Sequence, residues 1–287
     1  MSYLDKVNLC NRWQPSRFAP FTVTGTQVGW LTHERVAALA DHRDVFTPAH
    51  GGIALHQSYS TSKARTEAVK KIAPDLVASG RFPELRQEIY AVKNRWSEKE
   101  YLRMDRGLVP AFGARAYGVH VNGFVEKKDG PHLWIGTRAS ERMVEPGKLD
   151  NIVAGGQPAG LSLIKNVIKE CEEEASIGAA RAKAAVPASV ITYVCERDDG
   201  LRADTLFCFD LEMPRGEKPK PSEEIASFEL MPIGEALRLV RSTNRFKFNV
   251  NLVVIDFAIR RGFITPEKEK DFEAIVSGLH IYPQPVV

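Results

Sequence analysis

Residues Gly155 to Ile177 read GGQPAGLSLIKNVIKECEEEASI. Two adjacent glycines and Pro158 mark a loop, and Ser162 is a candidate N-cap for a helix over Leu163–Ala175. At about 100° per residue, Glu173 falls about 60° to one side of Glu170 and Glu174 about 40° to the other. Three carboxylates therefore share one face, while Glu172 lies about 200° round and points to solvent. Leu163, Ile164, Val167, Ile168 and Cys171 form an apolar stripe beside the acids, expected to bury against a sheet. Like charges this close destabilise an isolated helix by a few tenths of a kcal/mol per pair, so the cluster calls for a compensating cation. Magnesium suits it, because carboxylate and water oxygens are its preferred ligands, usually together with substrate phosphates. A solvated acidic face is the alternative reading of such a run taken alone.

The flanks supply strands. Ala116–Val125 alternates apolar residues with His120 and Asn122, a turn follows at Lys128 to Pro131, and His132–Gly136 reads as a second strand. Downstream, Val190–Glu196, Thr205–Leu211 and Phe228–Met231 read as strands, with helices expected over Ile233–Arg241 and Asn251–Arg260. Toward the N-terminus, Phe21–Leu31 is strand-like around Gly25, and Thr32 caps a helix over residues 33–40. A further helix is expected over Ser62–Ala73, ended or kinked by Pro74. Pro110 and Gly113 mark a domain boundary, giving an N-terminal α+β domain over 1–112 and a second domain over 113–287.

The glycine loop followed by K-E-C-x-E-E-x-S-I resembles the Nudix box. Gly155, Glu170, Glu173, Glu174 and Ile177 match it, whereas Leu161, Lys169 and Ser176 stand where the family usually has Glu, Arg and Gly. AYGVHVNGFVEK, LWIGTRA, PGKLDNIVAGG and NVIKECEEEA are similar to a Nudix subfamily that carries an extra N-terminal domain. That subfamily includes plant Nudix hydrolases and the Nudix part fused to fungal thiamine pyrophosphokinase. The resemblance implies an α/β fold, the Nudix α/β/α sandwich with a mixed sheet, preceded by a smaller α+β domain. It also implies magnesium-dependent (or manganese-dependent) hydrolysis of a phosphoanhydride in a small-molecule diphosphate, the subfamily's substrates being oxidised or damaged thiamine diphosphate. Gly155 (through its carbonyl), Glu170, Glu173 and Glu174 would hold the metal. Arg138 would contact substrate phosphate, and Glu224 would be a further ligand or the base that orients water. Hydrolysis of another nucleoside-diphosphate-like compound, or a non-catalytic ligand-binding module, stays open. His120 and Cys171 are expected in or beside the core rather than in catalysis.

The bulk composition agrees with a soluble enzyme. With 44% hydrophobic and 26% charged residues the chain is ordinary for a globular protein. Its 39 Lys and Arg against 36 Asp and Glu give a net charge of only +3, which gives little support to nucleic-acid binding. No apolar run reaches the length of a membrane span, and no signal-peptide pattern opens the chain. Cys10, Cys171, Cys195 and Cys208 form no CxxC pair, so free thiols in a reducing compartment, the cytoplasm, are expected. For the N-terminal domain two roles stay open: shaping the substrate pocket or mediating a homodimer.

Overall fold

The computed structural model describes residues 1–141 and 144–282. The first part of the chain builds α1 (Tyr3–Cys10), the antiparallel hairpin β1 (Phe18–Val23) and β2 (Thr26–Thr32), and α2 (His33–Ala40). Then come β3 (Phe46–Ala49), β4 (Gly52–Leu55), α3 (Ser62–Ala78), β5 (Ile89–Val92), β6 (Leu102–Asp105) and α4 (Leu108–Ala111). The expected single strand around Gly25 is thus two strands. Gly25 sits at φ +80°, a left-handed turn conformation that glycine adopts without steric cost. Thr32 does cap α2, its side chain accepting from the Arg35 N–H at 3.3 Å.

The expected break at Pro74 does not occur: α3 runs on to Ala78. Proline forfeits one hydrogen bond and crowds the preceding turn, but Leu76 beyond it is 1% exposed. Burying a leucine contributes on the order of 2 kcal/mol, which offsets much of that cost. A four-stranded sheet in the order β2-β1-β4-β3 and the β5-β6 hairpin share one core with α3, centred on Phe21, Phe46 and Phe112.

The second part forms β7 (Arg115–Lys127), β8 (Gly130–Arg138), β9 (Leu149–Asp150), β10 (Val153–Gly156), α5 (Leu163–Ala175) and α6 (Ala179–Ala182). It continues with β11 (Val186–Arg197), β12 (Gly200–Glu212), β13 (Ile225–Pro232), α7 (Ile233–Ser242), α8 (Val250–Arg260) and α9 (Phe272–Gly278). The sheet runs β11-β12-β7-β8-β13, with β10 on β7 and β9 on β8. It is mixed, since β12 pairs parallel to β7 and the other pairs are antiparallel.

Alternation along the strands feeds two cores. Val119, Val121 and Leu211 pack with Val167 and Cys171 of α5, whereas Leu206, Cys208 and Leu133 pack with Val240, Val253 and Phe257 of α7 and α8. Helices on both faces make this an α/β/α sandwich. Val7 and Cys10 of α1 belong to the α7–α8 core, so the first helix packs with the C-terminal helices rather than with the rest of the N-terminal region. Among the described residues no helix is long and apolar enough to cross a membrane.

Candidate active site

α5 spans the expected residues, and Ser162 caps it by accepting from the Lys165 N–H at 3.4 Å. Its buried face is rotated from the expected stripe. Asn166, Val167, Glu170, Cys171, Glu174 and Ala175 are buried, while Ile164 is 39% exposed. The centre of burial therefore falls nearer to the acids than periodicity suggested. The polar neighbours explain it: the Asn166 amide donates to the Gly156 carbonyl at 2.8 Å, and the Ala154 N–H donates to Glu174 Oε2 at 2.8 Å. The paired glycines, expected in a loop, are the end of strand β10 against β7, and the helix is drawn onto that strand by hydrogen bonds as well as by apolar contact. Cys171 is core, and burial pushes its thiol up to about 12.

Gly155, Glu170, Glu173, Glu174, Arg138 and Glu224 all line one cleft of about 530 Å³. Glu170 crosses directly over Gly155, where a Cβ would stand 2.2 Å from the Glu170 carboxyl carbon. Burial raises Glu170 above the usual carboxylate range, against the pull of Lys169. Burial raises Glu174 well above it too, although the Ala154 N–H opposes this. Glu173 is exposed, as is Glu172. Lys169 stands between two of the acids, 3.2 Å from Glu170 and 2.6 Å from Glu173. Side-chain exposures of 40% and 57% for Lys169 and Glu173 limit that pair to about 1 kcal/mol or less, so its ammonium is readily displaced.

The chemistry of this donor set fits a hard divalent cation: carboxylate oxygens on one face, two of them buried and disfavoured in ionised form without a counter-charge. Among the described residues no three acids, histidines or cysteines already meet at one point, so the carboxylates must turn to share an ion.

Arg138 is the last residue of β8, and its side chain is buried. It is 5% exposed, donates to Asp150 Oδ2 at 2.7 Å and sends two further N–H groups to the Val144 carbonyl. Lys247 reaches the same Asp150 oxygen at 3.3 Å. Burial works against the Asp150 carboxylate, but Lys247 and Arg138 outweigh it and hold the group below its ordinary value. Glu224 sits at the entry to β13, its carbonyl accepting from the Ala139 N–H at 2.9 Å. His120, buried, bonds through Nδ1 to Asn151 Oδ1 at 2.8 Å, and burial lowers it to about 4.

The cleft also takes in residues that the sequence reading did not single out: Tyr90, Arg106, Arg202, Lys247 and Asn249. Lys247 and Asn249 lie in the polar-aromatic NRFKFNV stretch between two apolar helices, a signal that was there to be read. Tyr90 and Arg106 carry no such signal, since only the tertiary fold brings β5 and β6 to the glycine loop. Trp30 is core, and Trp96 packs on Tyr117 and Phe207 beside a separate cavity.

A two-faced α/β/α sandwich with an acidic helix end, a glycine loop and facing basic side chains around one cleft defines a class of protein built to handle small anionic compounds. Similarity narrows the class. The chain is 37% identical over 270 residues to Nudix hydrolase 24, chloroplastic, of Arabidopsis thaliana, covering 92% of this chain and 74% of that protein. It is 36% identical over 277 residues to Nudix hydrolase 20, chloroplastic, of the same plant, again covering 92% and 74%. Residues 2–116 match a family described as a domain of unknown function (DUF4743). The solved Ap4A hydrolase binary complex from C. elegans superposes with a TM-score of 0.39 at 11% identity, covering 52% of this chain and 99% of that one. The chain belongs to the Nudix hydrolase family and is a phosphoanhydride hydrolase of that family.

Proposed function

We propose that the protein hydrolyses oxidised or damaged thiamine diphosphate to the monophosphate with magnesium as its metal, and that it works in the cytoplasm. One observation carries the diphosphate part: Glu170, Glu173 and Glu174 share a cleft with Arg106, Arg138, Arg202 and Lys247, which brings acids for a metal and cations for phosphate to one cavity. Thiamine diphosphate derivatives are chosen on the resemblance of the chain to the subfamily with an extra N-terminal domain. Four free, buried cysteines support the reducing compartment.

Glu170, Glu173, Glu174 and the Gly155 carbonyl would hold the ion. When bound it supplies positive charge to the phosphate oxygens and makes a coordinated water more acidic. Glu224 is assigned to take the proton from the attacking water. The water oxygen bonds to phosphorus, the bond from phosphorus to the bridging oxygen breaks, and the departing group keeps the electron pair. Arg138 and Lys247, held in place by the Asp150 they share, carry one positive charge in excess and orient the phosphates through it.

Purified protein with magnesium and a panel of thiamine diphosphate, its oxidised derivatives, ADP-ribose, NADH and damaged nucleotides tests this by monophosphate release. Oxidised thiamine diphosphate is expected to turn over fastest. Preference for another member changes the substrate, and no turnover of any member favours a binding module. Glu173→Gln and Glu174→Gln are each expected to lower turnover ~10²-fold or more, roughly 2.7 kcal/mol of barrier, while Glu172→Gln leaves it unchanged. Equal losses at all three positions would mean that the metal-facing side of α5 is assigned wrongly, and no loss at any of them would remove α5 from the catalytic role assigned to it.

A further inference from the structure

Gly155 and Gly156 are adjacent, and each is bare for a different neighbour. A Cβ at Gly155 would meet Glu170 of α5, whereas a Cβ at Gly156 would lie 1.4 Å from the Tyr90 hydroxyl and 3.4 Å from the Arg106 guanidinium carbon. The second glycine is therefore the slot through which the β5-β6 hairpin reaches the loop that carries the metal-binding carbonyl. Tyr90 is 5% exposed, yet its hydroxyl, at the cleft, makes no hydrogen bond among the described residues. Arg106 packs over the Tyr90 ring, 5.7 Å from its centroid, and among the described residues Glu88 alone hydrogen-bonds to its side chain, through Nη1 at 2.7 Å. A guanidinium has five N–H donors, so most of these stay available on the cleft side of the pair.

We propose that Tyr90 and Arg106 are substrate-binding residues that the N-terminal region contributes to the site, donating to non-bridging phosphate oxygens across the cleft from the α5 carboxylates. The inference rests on the diphosphate reading given above. A planar guanidinium suits phosphate oxygens, and a phenol that burial keeps protonated is a donor. It also gives the N-terminal region a part in catalysis: the Nudix sandwich holds the metal-binding acids, and the β5-β6 hairpin completes the cavity that receives phosphate.

Calorimetry on the full chain tests the assignment with methylenediphosphonate, a diphosphate analogue with a carbon bridge and no organic group, in the presence of magnesium. Arg106→Gln is expected to weaken binding about 10- to 100-fold and Arg106→Lys less, in line with hydrogen bonds to charged groups. Tyr90→Phe, which removes a single oxygen, is expected to weaken it several-fold. Manganese affinity, read by electron paramagnetic resonance without the analogue, should stay at the wild-type value, which separates a phosphate contact from general damage to the site. Tyr90→Phe keeps the question open to refutation should Arg106→Gln fail to fold. Unchanged analogue affinity in folded variants of a wild type that cleaves diphosphates overturns this inference alone. A wild type that neither binds the analogue nor cleaves any diphosphate overturns the functional reading and this inference together.

Discussion

Arg138 and Lys169 both line the cleft and both pair with carboxylates, yet the Arg138 side chain is 5% exposed and that of Lys169 40%. On the sheet wall, Arg138 and Lys247 both bind Asp150 where water cannot compete, and removing Asp150 leaves two cations without their carboxylate. On the helix wall, Lys169 spans Glu170 and Glu173 at the rim, where water screens the attraction and exchange for another cation costs little. Chemically similar pairs thus have different duties, and burial assigns them: the inner set holds the floor of the cleft and the outer set is free to trade partners.

That contrast is breakable. Asp150→Leu should destabilise the protein by about 3–5 kcal/mol, read from denaturant melts, because Arg138 and Lys247 are left without the carboxylate they share. Adding Arg138→Met and Lys247→Met, so that no charge of the set remains, should recover much of the loss. A stable single variant would mean that the inner set is no more committed to the fold than Lys169 is.

Next in size is a pH effect on the same wall. The His120 ring is neutral in the folded protein down to about pH 4, whereas its ordinary value is 6.5. The unfolded chain therefore takes up the proton first, and the stability present above pH 6.5 is lost as pH falls from 6.5 toward 4. The lost amount is on the order of 3 kcal/mol. Melts of wild type and His120→Gln across that window should converge at low pH, and parallel curves would contradict the assignment. The smallest effect lies on the helix wall: Ser162→Ala removes the cap of α5 and should cost about 1 kcal/mol of stability while leaving magnesium affinity unchanged. A large loss of magnesium affinity there would show that the outer carboxylates depend on the helix start more than their exchangeable pairing implies.

The α5 helix was legible to the residue because three independent signals agree on it: the Ser162 cap, the loop glycines and the 3.6-residue period. Its phase was less legible, since Asn166 is buried by a bond to the Gly156 carbonyl that periodicity does not see. In the N-terminal region the four-residue strands β3, β4, β5 and β6 are too short to display alternation, and Pro74 follows its tertiary packing rather than its local preference. At the site, the acids were readable because they lie on one helix. Tyr90 and Arg106 were not, because they reach Gly156 from 66 and 50 positions away through a hairpin whose docking is a property of the whole chain.

The placement of α1 bears on the order in which the molecule can assemble during synthesis. The Asn11 amide that ends this helix donates to the Gly278 carbonyl, 267 positions later. At translation rates of about 5–20 residues per second, the helix emerges roughly 13–50 s before the segment that covers it. For that interval the core that takes up Val7 and Cys10 is incomplete, and the sandwich cannot close in strict order along the chain. A segment made early is among the last to find its place.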